Sequence, residues 1–263
     1  MNKYIFVLFF FLMKLTLSAQ NVTQLPDNEN FKIEADLFLG RDLQQSYYFL
    51  KNRALLKKTI SDQYVYQNTT LGKVTTIDFK NPLHLVLFYK NFNTIVLLDN
   101  QLNETKTIDF NLNSNGISVE AVGWSTQNKL WIYDGITSRI GLYNLENETF
   151  NWITNANLTN LKHYFTSYTH FYGVDTTNLF YSFSITGKKT TYGKIPDYEN
   201  LQLLDDNKIL YSFGNQLFIY DISQQKKTKI TLELKNNSNY YASEGILTIF
   251  TASEIRNFKI NLQ

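Results

Sequence analysis

The feature that most constrains the fold is a pair of short strands that recurs about every forty residues. Each pair consists of two β-rich segments joined by an Asn, Gly or Ser turn, which is typical of a hairpin. The clearest pairs are residues 85–89 with 95–99, 130–134 with 140–144, and 209–212 with 217–221. Weaker copies at 46–58, 170–183 and 246–259 complete the series, and the spacing between successive centres is 38 to 45 residues.

A third strand follows most pairs and a fourth precedes them. The following segments, such as 105–110 and 190–195, alternate polar and apolar residues as a half-exposed outer strand does. Four strands per forty residues is the pattern of a β-propeller blade. The sequence therefore predicts an all-β fold, a β-propeller of six four-stranded blades. A seven-bladed ring would leave only about 35 residues per blade, and a pair of β-sandwiches is the other alternative.

Closure of the ring is expected to involve the N-terminal segment. The last unit ends at Gln263 after two clear strands and an inner strand around 240–242, without an outer strand of its own. Residues 31–35 are predicted to supply that strand. Such pairing would protect a sheet edge that otherwise promotes aggregation.

The first nineteen residues have the pattern of a secretory signal peptide. Lys3 precedes a ten-residue apolar run, and residues 17–19 (LSA) resemble a cleavage site before Gln20. The run is shorter than the roughly 20 residues of a membrane-spanning helix. We therefore expect residues 1–19 to be the signal and residues 20–263 to form one propeller domain, with no transmembrane segment. The expected location is the periplasm or the outer membrane.

Charge and composition exclude several functions. The predicted signal carries two of the 25 basic residues and none of the 23 acidic ones, so residues 20–263 have a formal net charge of zero. A neutral chain lacks the basic surface of a nucleic-acid binder. The chain has no cysteine, which rules out disulfides, thiolate metal sites and a cysteine nucleophile.

The chain resembles a group of uncharacterised secreted β-propeller proteins of Bacteroidota. The similarity rests on residues 78–89 and 91–104, extended by 130–134 and by 187–197, and it covers most of residues 20–263. It implies a propeller and export, and it brings no catalytic residues. The likeness to WD40 and NHL propellers is in repeat length only, because the Gly-His and Trp-Asp signature of WD40 is missing.

No catalytic constellation is evident in the sequence. His84, His163 and His170 are the only histidines, and none has a nearby carboxylate pair that would favour a metal site. Three aspartates, Asp99, Asp134 and Asp221, end strands, where the side chain ordinarily bonds to the next turn. We expect no metal, no cofactor and no enzymatic activity.

An aromatic cluster remains as the candidate binding site. Aromatic faces at the mouth of a ring bind peptides or sugars. The candidate residues are Tyr164, Phe165, Tyr168, Phe171 and Tyr172. The favoured function is a non-enzymatic, protein-binding or scaffold module whose partner is an envelope protein or complex. The alternatives are a metal-dependent propeller enzyme, either a lyase or a hydrolase, and a glycan-binding module.

Overall fold

The computed structural model describes residues 19–20, 22–25, 30–112, 116–155, 161–235 and 238–260. They form six separate sheets in which sequential strands are antiparallel neighbours. The architecture is a six-bladed, all-β propeller, as the repeat predicts. The predicted signal lies outside the described residues except for Ala19. Among the described residues, no helix is long and apolar enough to span a membrane.

The blades are numbered in chain order, and each runs from its inner strand outward. Blade 1 contains β4 (Leu37–Arg41), β5 (Tyr47–Lys51), β6 (Ala54–Lys58) and β7 (Gln63–Tyr66). Blade 2 contains β8 (Thr76–Asp78), β9 (His84–Tyr89), β10 (Thr94–Asp99) and β11 (Glu104–Asp109), with a 3-10 turn at Lys90–Phe92. Blade 3 contains β12 (Val119–Trp124), β13 (Lys129–Asp134), β14 (Arg139–Asn144) and β15 (Phe150–Asn155).

The second half of the ring repeats this order. Blade 4 contains β16 (Leu161–Thr166), β17 (His170–Asp175), β18 (Leu179–Ser184) and β19 (Lys189–Lys194). Blade 5 contains β20 (Asn200–Leu203), β21 (Lys208–Phe213), β22 (Gln216–Asp221) and β23 (Lys226–Glu233). Blade 6 contains β24 (Asn239–Ser243), β25 (Ile246–Phe250) and β26 (Glu254–Lys259).

The middle strands are apolar on both faces because each blade packs between two others. In β13, Leu130 and Ile132 pack toward blade 2, whereas Trp131 packs toward blade 4. All three side chains are fully buried. The buried apolar residues of the described chain form six clusters, one at each interface between neighbouring blades. The core is therefore a ring of interfaces around a central axis.

Three short N-terminal strands join the chain ends. Strands β2 (Thr23–Gln24) and β3 (Phe31–Lys32) pair antiparallel with β26 and together act as the outer strand of blade 6. This confirms that the N-terminal segment closes the ring, although the pairing is split between two strands. Strand β1 (Ala19–Gln20), which the sequence did not predict, adds in parallel to β23 of blade 5.

Strand direction defines two faces of the ring. Each inner strand begins at one face, here called the start face, and ends at the other, the end face. The turns between inner and second strands lie on the end face, closest to the axis. The turns between second and third strands lie on the start face. Cross-turn hydrogen bonds agree with this assignment, for example Leu145 N–H to Asn128 O on the end face and Phe110 N–H to Asn93 O on the start face.

Candidate functional site

The axis of the ring holds a cavity of about 620 Å³. Its wall is built from the inner strands of all six blades. Each inner strand presents its edge to this space, so consecutive residues line it, for example residues 76–80 of blade 2 and 199–203 of blade 5. Blade 3 contributes only Val122 to the wall, whereas blades 2, 4, 5 and 6 each contribute several residues. The cavity is therefore displaced from blade 3, and the reason lies in the contacts across that blade.

A polar clasp covers the inner face of blade 3. Lys80 Nζ of blade 2 donates to Asp78 Oδ2 at 2.5 Å and to Thr166 Oγ1 of blade 4 at 2.8 Å. The Trp124 N–H of blade 3 donates to Asp78 Oδ2 at 2.9 Å. The Asp78 side chain is 9% exposed and that of Lys80 is 35% exposed. We call Asp78, Lys80 and Thr166 the axial clasp, because they join three blades near the end face.

Gly123 makes room for the clasp. A Cβ atom at this position would lie 2.0 Å from Thr166 Oγ1 and 3.0 Å from Asp78 Oδ2. Any larger residue in β12 would force the clasp apart. A second bridge lies nearer the start face, where Tyr164 Oη donates to Thr76 Oγ1 at 3.2 Å. Blades 2 and 4 thus meet twice over blade 3.

The blades on the other side of the cavity are joined by carboxamides. Gln202 of blade 5 donates to Ala242 O at 2.6 Å and accepts from Ala242 N–H at 2.8 Å. Asn239 of blade 6 donates to Phe38 O of blade 1. These side chains replace missing sheet hydrogen bonds between adjacent inner strands. They are neutral, in contrast with the charged clasp.

His163 adds a neutral imidazole to the wall. Burial, with a smaller contribution from Lys162, lowers its pKa from 6.5 to about 4. The ring contacts Phe165 and Tyr198. In the described part of the chain, no group of three or more His, Cys, Asp or Glu side chains is arranged to hold a metal ion.

The structure separates the five aromatic residues that the sequence grouped together. Tyr164 and Phe165 line the cavity. Phe171 and Tyr172 are fully buried at the interfaces of blade 4 with blades 3 and 5. Tyr168 is 45% exposed in the inner hairpin turn of blade 4, on the end face. They do not form one surface, and binding by any of them stays a prediction.

Tyr168 lies beside the axial clasp. Its pKa is raised, mainly by burial and also by the negative charge of Asp78. Its carbonyl accepts hydrogen bonds from Thr126 N–H at 3.2 Å and from Ser125 Oγ at 2.9 Å. These bonds fix the inner turn of blade 4 against that of blade 3, so the backbone that carries the exposed ring has a well-defined position.

The three strand-ending aspartates have the turn role that the sequence favoured. Asp99 accepts from the N–H groups of Gln101 and Asn103, and Asp221 accepts from that of Gln224. The three do not occupy similar blade positions. Asp134 ends a second strand, whereas Asp99 and Asp221 end third strands, so Asp134 lies on the opposite face.

Sequence reasoning missed the axial clasp and Gln202. Lys80 and Thr166 are 86 positions apart, and no local pattern links residues at that distance. One signal was present: Gly123 lies inside a strand, where glycine often marks close approach of another group. Because inner strands recur around the axis, residues at the ends of the neighbouring inner strands were the candidates to approach Gly123.

Comparison with known proteins shows the fold and nothing finer. No protein-family model and no curated protein matches the chain. Among solved structures, virginiamycin B lyase from Staphylococcus aureus matches with a TM-score of 0.53 and 11% identity, over 93% of this chain and 96% of that one. The WD40 repeats of RRP9 match with a TM-score of 0.56 and 7% identity, over 91% and 100%.

A third match is to the extracellular domain of a larger protein. The extracellular domain of a one-component system from B. thetaiotaomicron has a TM-score of 0.52 and 14% identity, and the match covers 90% of this chain and 40% of that one. Sequence identities this low support a shared propeller architecture alone. Propellers host many unrelated functions, so function must be argued from the residues of this chain.

Proposed function

We propose that this chain is an exported, non-enzymatic β-propeller that binds a protein partner of the cell envelope through its end face. The observation that carries the proposal is a set of exposed apolar side chains on three inner hairpin turns. Leu43 is 63% exposed, Leu83 is 52% exposed and Tyr168 is 45% exposed. Exposed apolar patches with polar rims are typical of protein-binding surfaces.

The clasp joins the turns that carry two of these side chains. Leu83 and Tyr168 follow Lys80 and Thr166 by three and two positions, and the clasp atoms of Lys80 and Thr166 are 2.8 Å apart. The two turns therefore meet at the clasp, although they belong to blades 2 and 4. A tyrosine beside a partly exposed lysine supplies both apolar area and hydrogen-bonding groups, as interface centres do.

The start face also carries exposed apolar residues, but they lie farther from the axis. Phe92 and Ile136 belong to turns between second and third strands, and Phe213 ends the second strand of blade 5 just before such a turn. Leu37 is the exception, because it begins an inner strand and lines the cavity. The residues of the start face are thus more scattered, and scattered surface apolar residues are ordinary.

Location in the periplasm or at the outer membrane is part of the proposal. It is supported by the signal-peptide pattern of residues 1–19 and by the resemblance to secreted propellers of Bacteroidota. The similarity in fold to an extracellular domain from B. thetaiotaomicron is consistent with such a setting. A neutral net charge after signal removal fits a partner that is not a nucleic acid.

The test is affinity capture of the tagged protein from the envelope fraction of its source cells, with paired variants. The double variant Leu83→Ser with Tyr168→Ala alters the end face, and Phe92→Ser with Phe213→Ser alters the start face to a similar extent. We expect the first pair to abolish recovery of a specific protein that the wild type and the second pair retain. Equal recovery by both pairs, or recovery of the propeller alone, would contradict the proposal.

A further inference from the structure

The axial cavity is a separate feature from the end face and opens on the opposite side. Lining residues at the beginnings of inner strands are exposed, including Leu37, Thr76 and Asn200. Lining residues at the ends of inner strands, such as Phe79 and Thr166, are 7% and 8% exposed. A ligand would therefore enter from the start face. At about 30 Å³ for each water molecule, a cavity of 620 Å³ has space for roughly 20 waters.

Part of the polar wall is already occupied by bonds between blades. Gln202 uses both its oxygen and its nitrogen on Ala242, and Tyr164 uses its hydroxyl on Thr76 and on the backbone of Val122. These groups shape the cavity and have little hydrogen-bonding capacity left for a ligand.

Another part of the wall is uncommitted. Glu199 Oε1 accepts from Gly214 N–H, and Oε2 has no partner among the described residues. Asn200 uses its Nδ2 atom on Ser212, at 3.4 Å, and its Oδ1 atom accepts no hydrogen bond from the described residues. His163 makes ring contacts but no hydrogen bond within the described chain, and its low pKa keeps it neutral with one donor and one acceptor. The uncommitted groups thus include both donors and acceptors.

The charges on the wall disfavour an ionic ligand. Lys80 and Asp78 already form an ion pair, so neither charge is free to pair with an ionic ligand. Glu199 is exposed at the open end, where water screens its charge. A neutral ligand that offers several hydroxyl groups needs no free charge on the wall. Apolar surface from Leu37, Phe165 and the ring of Tyr240 completes the wall.

We propose that the axial cavity is a binding site for a neutral saccharide, a mono- or disaccharide that enters from the start face. A sugar ring offers hydroxyl edges to Glu199, Asn200 and His163 and apolar C–H faces to the aromatic wall. The volume lies within the range of about 300–1,000 Å³ that is usual for small-molecule sites. This site does not depend on the protein-binding surface of the end face.

The test uses glucose, galactose, N-acetylglucosamine, maltose and lactose with the purified protein. Saturation-transfer NMR detects binding, and titration calorimetry measures affinity. We expect at least one of these sugars to bind, and His163→Phe and Asn200→Leu each to weaken that binding about tenfold, the loss that corresponds to one hydrogen bond of about 1.4 kcal/mol. Circular dichroism verifies that both variants remain folded.

Two controls make the result decisive. Tyr168→Ala, on the end face, should leave sugar affinity unchanged, whereas a loss there would place the site on the other face and overturn the proposal. Putrescine and acetate represent cationic and anionic ligands. Binding of either one in the cavity without any sugar binding would refute the charge argument, and an absence of sugar binding to the folded wild type would refute the proposal itself. Neither result bears on capture of a protein partner by the end face.

Discussion

Blades 2 to 4 and blades 5, 6 and 1 are joined at the axis by different chemistry. In the first group, the clasped half, Asp78, Lys80 and Thr166 bridge two blades across a third. In the second group, the closing half, Gln202 and Asn239 bond directly to the backbone of the adjacent blade. The closing half also contains the junction of the chain ends, which the N-terminal strands cover from outside.

The difference shows that the same repeat can join neighbouring blades in two ways, by a charged network at the axis or by closure of the chain ends. The clasped half follows the chain without interruption, and its inner strands carry a charged network that joins blades 2 and 4 over blade 3. The closing half must bring residues 30–32 against residues 254–257, more than 200 positions away. The cavity lies between the two halves, and residues of both halves line it.

The largest expected effect comes from removing the closing strands. A chain that begins at Ile33 loses the Leu25 and Asn30 hydrogen bonds to Asn257 and the packing of Phe31 on Tyr47. We expect it to lose at least about 3 kcal/mol of unfolding free energy and to aggregate through the exposed edge of β26. Urea unfolding and size-exclusion chromatography measure both effects.

A shorter truncation is the control for closure. A chain that begins at Thr23 removes β1 but keeps β2 and β3. Blade 5 retains its own outer strand, β23, so we expect a change of less than about 1 kcal/mol. If both truncations lowered stability equally, the outer strand of blade 6 would not be the element that closes the ring.

The next largest effect is expected in the clasped half. Asp78→Ala removes the partner of Lys80 and leaves the Trp124 N–H without an acceptor. We expect the unfolding free energy to fall by about 2 kcal/mol. This is less than the usual cost of breaking a buried ion pair because the Lys80 side chain is 35% exposed. Asp78→Asn should lose less stability than Asp78→Ala, since the amide oxygen still accepts a hydrogen bond from the Trp124 N–H.

An exposed ion pair provides the comparison for Asp78. Lys51 and Glu34 are 3.2 Å apart, and the Glu34 side chain is 88% exposed. Glu34→Gln should change the unfolding free energy by less than about 0.5 kcal/mol. An effect of Asp78→Ala as small as that of Glu34→Gln would show that the clasp adds nothing to stability.

A pH-dependent effect is expected at His163, which faces the cavity from the clasped half. Its pKa is 6.5 in the unfolded chain and about 4 in the fold. Because the unfolded state binds the proton first, the folded state loses stability as the pH falls from 6.5 to 4. His163→Phe should reduce that loss, as measured by urea midpoints across the range. Parallel midpoint curves for the variant and the wild type would contradict the burial of this group.

The smallest effect is expected in the carboxamide contacts of the closing half. Gln202→Leu removes two neutral hydrogen bonds to the backbone of Ala242. We expect a loss of about 1 kcal/mol. Gln63→Leu on the exposed outer strand of blade 1 is the control, with an expected change within about 0.5 kcal/mol. A larger loss for Gln202→Leu than for Asp78→Ala would reverse the ranking of the two halves.

Much of the fold was predictable from the sequence because the blade is a local unit. The second and third strands are short apolar runs bounded by turn residues, and their spacing gave the number of blades. The inner and outer strands of blade 1, β4 and β7, were not identified. They lie on either side of the weaker hairpin at 46–58, and their mixed composition gives no strong alternation.

The candidate site was predicted less well. Grouping by proximity in sequence placed Phe171 and Tyr172 with Tyr168, yet adjacent strand residues face opposite interfaces, and the first two are buried. Only position in the ring shows that Tyr168 belongs to the end face and Tyr164 to the cavity. The sequence shows that successive side chains of β16 and β17 point to opposite faces of blade 4. It does not show which of these residues lie near the axis of the ring.

The sequence by itself determined the class of fold, the number of blades and the use of the N-terminal segment for closure, because these follow from repeat length and strand pattern. The tertiary structure alone decided which side chains meet at the axis. Asp78, Lys80, Gly123 and Thr166 come together only when three blades are arranged around one centre. Contacts of that kind depend on ring geometry, which no local pattern encodes.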